Sequence, residues 1–472
     1  MTERADIVII GSGTAGLTAL AEVQRKTRNV LLINDGHWGT TCAAVGCMPS
    51  KALIEAANAF HRRNDFAAFG ISGAGSLAID IPAVLARVRR LRDGFTAGPA
   101  ATPDRLGARA ISGRARLLGP NRVAVNGREI SARAIILAPG SRPILPAPWR
   151  AFGDRILTTD TLFECQDLPR RIAVVGMGAI GVEMAQALAR LGPSVAGFDA
   201  ADTVAGISDP AVRDAFLALI GGEFPVHLGA GAELTETDDG AIRVTSGDTS
   251  FTADAVLAAI GRRPNIDDLG LETLGLPLDR RGMPPFDPNT LQIGDLPVYL
   301  AGDANGYRAL MHEAADEGHI AGRNALAETP QAHCRRTPLG IVFASPQVAR
   351  VGQGFAEIPE DRRATAEADF SKQPRARTAE TAAGLMRVYA DRDSGRILGA
   401  EMCVPAAEHL THLLALAIER QLTVAEMLAM PFYHPVLEEG LRSALRDLAR
   451  QVPGKTGSDL SLCPGTGHPA LE

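Results

Sequence analysis

The sequence predicts an α/β chain that uses one strand–turn–helix–strand unit twice, and three observations carry that prediction. The apolar run Asp6-Ile-Val-Ile-Ile10 leads into Gly11-Ser-Gly13-Thr-Ala-Gly16 and an Ala/Leu/Val-rich helical pattern. The same order recurs 165 residues later, where Ile172–Val175 precede Gly176-Met-Gly178-Ala-Ile-Gly181. Beyond about residue 334 the pattern changes to alternating strands followed by an apolar-striped helix.

In the first unit, Ile7–Ile10 reads as a fully buried strand, the helix runs to about Lys26, and Asn29–Ile33 reads as the next strand. Gly11 makes the tight turn, Gly13 lets a pyrophosphate approach the backbone, and Gly16 allows close helix packing. The helix start offers free N–H groups and the positive dipole end to phosphates. In the second unit Val182–Leu191 is the helix and Ser194–Phe198 the following strand. A single G-x-G-x-x-G is weak, because packing alone produces such turns. Two copies, each between a strand and a helix, imply two bound nucleotides.

Asp199 lies 23 residues after Gly176, where an acid takes a ribose 2′-hydroxyl and repels a 2′-phosphate. No Arg lies between Asp199 and Thr203, so NAD(H) is favoured over NADP(H) at the second fingerprint. The same offset from Gly11 falls on Asn34, an amide that can still bond a ribose, with Asp35 next.

The 472 residues are 46% hydrophobic and 22% charged, an ordinary globular balance. At roughly 100–200 residues per domain, two to four domains are expected. The 48 Lys and Arg are scattered and the net charge is −6, which excludes the basic stripe of a nucleic-acid binder. No basic n-region precedes Ile7–Ile10, and no uncharged run approaches the ~20 residues of a membrane span. Six cysteines are too few for a secreted disulfide scaffold, so the cytoplasm is the expected compartment.

Cys42 and Cys47 follow the first unit directly. Such a pair can be two buried small hydrophobes, a zinc site, or a dithiol that exchanges electrons. No second Cys pair stands at ligand spacing, and the histidines form no zinc-protease pattern. Beside a flavin-type fingerprint, the pair reads best as redox-active, and no metal is expected.

The segment Gly39-Thr-Thr-Cys42-Ala-Ala-Val-Gly-Cys47-Met-Pro-Ser-Lys51 resembles the redox motif of the pyridine nucleotide–disulfide oxidoreductases. The resemblance covers nearly the whole chain. Ile135-Ile-Leu-Ala-Pro-Gly140-Ser-Arg-Pro resembles the family's crossover marker, with Pro139 where Thr is usual. Gly261-Arg-Arg-Pro-Asn265 and Leu300-Ala-Gly302-Asp303 resemble the next two markers, and Tyr433-His434-Pro435-Val-Leu-Glu-Glu439 the last, with Val436 for Thr.

The resemblance implies two Rossmann-like dinucleotide-binding domains, for FAD and NAD, and a C-terminal α+β dimerisation domain. An FAD domain (1–145, returning at 265–333) encloses an NAD domain (146–264), and an interface domain (334–452) and a disordered tail (453–472) follow. Pro143, Pro146 and Pro148 punctuate the first boundary, and Gln331–Pro338 the last. FAD is implied at Gly11, Gly13 and Gly16 with Asn34, Thr41, Gly140 and Asp303, the last on the ribityl chain. NAD(H) is implied at Gly176, Gly178, Gly181 and Asp199, and Gly261 is a further cofactor-binding position.

In chemistry, the resemblance implies Cys42, nearer solvent, as interchange thiol and Cys47 as the thiol facing the flavin. His434 is then the general base and Glu439 its orienting carboxylate, with Glu438 a neighbour. Lys51 and Glu183 form a further pair beside the flavin, each needing the other's charge. A homodimer shares its active sites, histidine and glutamate coming from the partner.

Ser50-Lys51 after Met48-Pro49 resembles the dihydrolipoamide dehydrogenase branch, so the expected reaction is NAD⁺-linked oxidation of dihydrolipoamide, free or on a lipoyl domain. A 2-oxoacid dehydrogenase or glycine cleavage complex is then a possible assembly. Departures at Asn34, Ala44, Pro139, Ser345-Pro-Gln347 and Val436 keep open a divergent NADH-dependent disulfide, quinone or metal-ion reductase. A structural or redox-sensing subunit is the reading of another class, and the completeness of the motifs opposes it.

Residues 385–404 read as a hairpin around Asp393-Ser-Gly395. Ala406–Gln421 carries Leu410, Leu413, Leu414 and Ala417 on one face, suited to a dimer interface or to a core. His409 and His412 lack a third metal ligand. Cys165, Cys334 and Cys403 read as packing residues, and Cys463 as a stray thiol in the tail.

Overall fold

The computed structural model describes residues 3–454 and divides them into two compact units. The first comprises residues 1–56, 80–168 and 258–335, and the second residues 57–79, 169–257 and 336 onward. Residues 455–472, with Cys463, lie outside the described residues.

In the first unit the strand Glu3–Ile10 runs parallel to Val30–Asn34 on one side and to Arg128–Leu137 on the other. Ala110–Ser112 extends this sheet beyond Val30–Asn34, and Val298–Leu300 pairs in parallel with Arg128–Leu137. Ile7, Val8 and Ile9 are completely buried, which explains a strand sequence without polar alternation. The helix Thr14–Val23 packs on Met311–Leu326, where a Cβ at Gly318 would stand 2.4 Å from the Ala15 carbonyl.

The second unit holds the other parallel set, with Ser194–Phe198 between Arg171–Val175 and Val226–His227. It also carries a five-stranded antiparallel sheet, in the order Leu339–Val342, Gln347–Gly352, Ile397–Val404, Leu385–Asp391, Arg363–Asp369. Helices Ala407–Glu419 and Glu438–Leu448 cover that sheet. The predicted hairpin forms, its turn held by the Asp391 carboxylate, which accepts the Ser394 N–H at 2.8 Å.

A buried polar cluster ties the antiparallel sheet to the start of the helix Pro210–Ile220. Glu401, wholly buried, accepts the N–H groups of Ser208 (2.6 Å), Asp209 (3.0 Å) and Phe355 (2.9 Å). Asp209, equally buried, accepts from Arg387 at 2.9 Å and from the Tyr389 hydroxyl at 2.7 Å.

One open alternative is decided and one expectation changes. Leu410, Leu414 and Ala417 lie in the subunit's own core beneath the antiparallel sheet, so that helix face is not free to bury a partner. Cys334 is exposed rather than packed, while Cys403 is buried and Cys165 half-buried. His409 and His412 engage Glu408, through its carboxylate at 3.8 Å and its carbonyl at 2.6 Å. No helix among the described residues is long and apolar enough to cross a membrane.

Candidate active site

The first fingerprint is built by steric necessity. Gly11 has φ +106° and a Cβ there would stand 2.0 Å from the Ala138 carbonyl oxygen. At Gly16 a Cβ would meet the Gly11 carbonyl at 1.9 Å. Gly13 differs, because no atom lies within 4 Å of its Cβ position and the backbone opens outward. It starts the helix Thr14–Val23 without any side-chain cap. In the second unit Gly178 likewise starts Ala179–Leu191 uncapped and faces open space, while Gly176 turns the chain at φ +97° and Gly181 is buried. Each helix start presents N–H donors to an anion, which fits the pyrophosphate of a dinucleotide.

The two units place Asn34 and Asp199 in equivalent positions. The Asn34 amide oxygen accepts the Ser12 N–H at 3.0 Å, and the Asp199 carboxylate accepts the Met177 N–H at 2.6 Å. Asn34 also donates to the His37 carbonyl at 2.9 Å, so its amide holds the loop in shape, while Asp35 is exposed. The other Asp199 oxygen accepts the Ala201 N–H at 2.9 Å.

Three distant markers meet in the first unit. Ser141–Pro143 and Arg262–Pro264 form an antiparallel ladder, flanked by Gly140 at φ +71° and Gly261 at φ +106°. Asn265 donates its N–H to Gly140 at 2.9 Å and its amide to the Pro139 carbonyl at 3.0 Å. Ser141 donates to the Asp303 carboxylate at 2.7 Å and accepts from Arg262 at 2.8 Å. Ser141 and Arg262 therefore orient Asp303. Sequence reasoning passed over both, because their link spans more than a hundred residues.

Thr40 caps the short turn Thr41–Ala44 by accepting the Ala43 N–H at 3.1 Å, and a second helix begins at Cys47. Thr41 itself is exposed. Gly46 lets these segments approach, since its Cβ would lie 3.3 Å from the Cys42 α-carbon. Cys42 and Cys47 are free thiols whose side chains hydrogen-bond. The neighbouring Cys47 sulfur, then burial, holds the Cys42 thiol well above the ordinary range, against the pull of Lys51. Cys47 is exposed and Cys42 half-buried, and the Cys42 turn packs against the helix Ile81–Ala100.

Lys51 is half-buried in the first unit. Glu183, in the second, is buried on its helix and accepts the Phe343 N–H at 2.9 Å.

His434 stands 73% exposed on a turn whose His434–Pro435 peptide is cis. Its Nδ1 lies 3.0 and 3.2 Å from the two Glu439 oxygens, one of which also accepts the Val436 N–H at 3.2 Å. The His434 hydrogen bond holds the Glu439 carboxyl below its ordinary range, against a small effect of burial. With Nδ1 engaged, Nε2 is left to exchange a proton.

A cavity of about 720 Å³ lies elsewhere, lined by Asp6, Glu22, Arg25, Lys26, Arg133 and Arg323. There Arg133 donates to the last carbonyls of Met311–Leu326, at 3.2 and 2.6 Å, an ordinary service of cations at helix ends. Among the described residues no group of three or more His, Cys, Asp or Glu stands where a metal ion would be held.

Residues 5–318 match the family described as pyridine nucleotide-disulphide oxidoreductase, and residues 339–445 match its dimerisation domain. Dihydrolipoyl dehydrogenase from Bacillus subtilis is 30% identical over 452 residues, covering 93% of this chain and 97% of its own. Mercuric reductase from Shigella flexneri is 31% identical over 481 residues, covering 97% and 82%. Among solved structures, LpdA from Mycobacterium tuberculosis superposes with a TM-score of 0.81 at 27% identity, covering 95% of this chain and all of that one. The HOCl-induced flavoprotein disulfide reductase RclA from Escherichia coli gives 0.82 at 22% identity, over 94% and 99%, a likeness of fold.

Proposed function

Because the chain belongs to the pyridine nucleotide-disulphide oxidoreductase family, whose members contain FAD and use NAD(P)H, we propose that it is an NAD⁺-dependent dihydrolipoyl dehydrogenase. The observation that carries the reading is the Cys42–Cys47 pair, two hydrogen-bonded thiols at the segment that follows the first fingerprint. Several relatives near 30% identity bear that name over more than nine-tenths of the chain.

In the oxidised enzyme the two sulfurs form a disulfide. A dihydrolipoamide thiolate attacks Cys42, the S–S bond breaks, and Cys47 leaves as thiolate. The second substrate thiol gives its proton to Nε2 of the partner subunit's His434 and displaces Cys42, releasing the cyclic disulfide. The electron pair now resides on the cysteines. Cys42, held above the ordinary thiol range, takes up the proton that the partner subunit's His434 received, so the negative charge falls on Cys47. FAD, when bound, supplies the two-electron carrier that relays the pair to NAD⁺ as hydride, giving NADH and H⁺ overall. Gly11, Gly13, Gly16 and Asp303 hold it, with Asn34, Thr41 and Gly140 around its loop. Gly176, Gly178 and Gly181 take the nicotinamide nucleotide, and Asp199 disfavours a 2′-phosphate. Residues 339–445, which match the dimerisation domain, form the homodimer.

The test is dihydrolipoamide-dependent reduction of NAD⁺ and NADP⁺ by the flavin-loaded protein, beside Cys42→Ser. Rapid NAD⁺ reduction abolished by the substitution is expected. The match to mercuric reductases favours a second reading, a metal-ion reductase. Inert dihydrolipoamide together with Hg²⁺-dependent NAD(P)H oxidation would install it.

A further inference from the structure

The turn that carries Asp303 is held from behind by a carboxylate the proposed chemistry does not use. Glu317, midway along Met311–Leu326, is completely buried. One of its oxygens accepts the Gly302 N–H at 2.6 Å and the Asn305 amide at 2.7 Å, so it grips the turn on both sides of Asp303. Its other oxygen meets the Arg335 guanidinium at 2.7 Å. Arg335 arrives from the last residues of the unit and is only 11% exposed. It is anchored to the Pro288 carbonyl at 2.9 and 3.1 Å and lies 3.3 Å from Glu313. Gly302, at φ +72°, leaves the turn little room to shift, since a Cβ there would already stand 3.0 Å from the Ala15 side chain.

We propose that Glu317 and Arg335 are positioning residues that aim Asp303 at the FAD ribityl chain, Arg335 neutralising a carboxylate whose charge the interior could not otherwise hold. This rests on the assignment of Asp303 to FAD made above. A buried carboxylate that loses its cation must admit water or leave its site, and either loosens the grip on Gly302 and Asn305 until a lower pH protonates it. The charged groups around it are few. Arg308 pairs with Glu313 at 2.9 Å on the near side of the same helix, and Asp303 lies on the held turn itself. From the packed helix Thr14–Val23, Glu22 is engaged by His319 and Arg323, both at 3.0 Å. The neighbouring strands bring Arg133, bonded to Ala325 and Leu326, and Tyr299, bonded to the Asn324 carbonyl. Arg335 is therefore the cation that decides the state of Glu317.

The experiment follows flavin content as purified, and FAD release from the diluted holoprotein by its fluorescence, between pH 6 and 9. Arg335→Met should release FAD at least about tenfold faster at pH 8.5 and return toward the parent rate near pH 6, where Glu317 can protonate. Glu317→Gln alone leaves the Arg335 charge unpaired and should also release faster, at every pH. The double variant Glu317→Gln/Arg335→Met should sit within about threefold of the parent and be flat with pH, the coupling expected of a pair. Losses that add in the double variant, or a pH-independent loss in Arg335→Met, would overturn the proposal. If Arg335→Met does not fold, Glu317→Gln and Arg335→Lys decide: parent-like release in the first, or faster release in the second that matches it, overturns the proposal. Asp303→Ala separates the premise, for unchanged FAD release in that variant defeats the assignment of Asp303 whatever the pair does.

Discussion

At the scale of the residue, His434 and Glu439 make the sharpest case. His434→Gln should lower turnover of dihydrolipoamide by ~10²-fold or more, the usual contribution of a positioned base, with little change in thermal stability. Glu439 has a second signature. Its carboxyl is held below the ordinary range in the folded chain, so the stability it contributes is present above the unfolded value and lost as pH falls through the lowered one. The gap in melting temperature between parent and Glu439→Gln should therefore exist at neutral pH and close on acidification. Both residues are legible in the sequence because they lie five positions apart in one short motif. Ser141 and Arg262 are not, since Ser141 bonds to Asp303 162 residues away and Arg262 to Ser141 121 residues away.

At the scale of the element, the two kinds of glycine in one turn should behave differently. Gly11→Ala collides with the backbone at Ala138 and forces a strained φ, so loss of folded protein is expected. Gly13→Ala meets nothing in the chain and should fold normally while retaining less FAD, read from the ratio of flavin to protein absorbance. The helix Ala407–Glu419 teaches the limit of periodicity. Its apolar stripe was plain, yet a stripe says only that a face is covered, not whether the cover is the same chain or a partner. Here the antiparallel sheet covers it. Leu414→Ala should accordingly cost about 2–5 kcal/mol in denaturant unfolding, with a destabilisation that does not depend on protein concentration.

At the scale of the whole molecule, residues 146–168 belong with the first unit, and the parallel and antiparallel sheets share the second. The Glu401–Asp209 cluster gives a physical reason for that sharing, since it joins the antiparallel sheet to the start of the helix Pro210–Ile220. Glu401→Ala would leave three N–H groups without their acceptor, one of them buried, and should destabilise the second unit by ~3 kcal/mol. Urea unfolding monitored at a probe in each sheet should show both transitions moving together.

The two helices that begin at Gly13 and Gly178 without caps make the folded chain an unfinished hydrogen-bonding system. On the proposed function, what an ordinary protein supplies from its own serine or aspartate would come from the bound nucleotides, and the degree of folding would become a function of cofactor concentration. By mass action, a nucleotide present at a hundred times its dissociation constant adds about 2.7 kcal/mol to the folded state. Cells short of flavin would then carry less of this protein, because the unliganded fraction opens more often and is cleared by proteases.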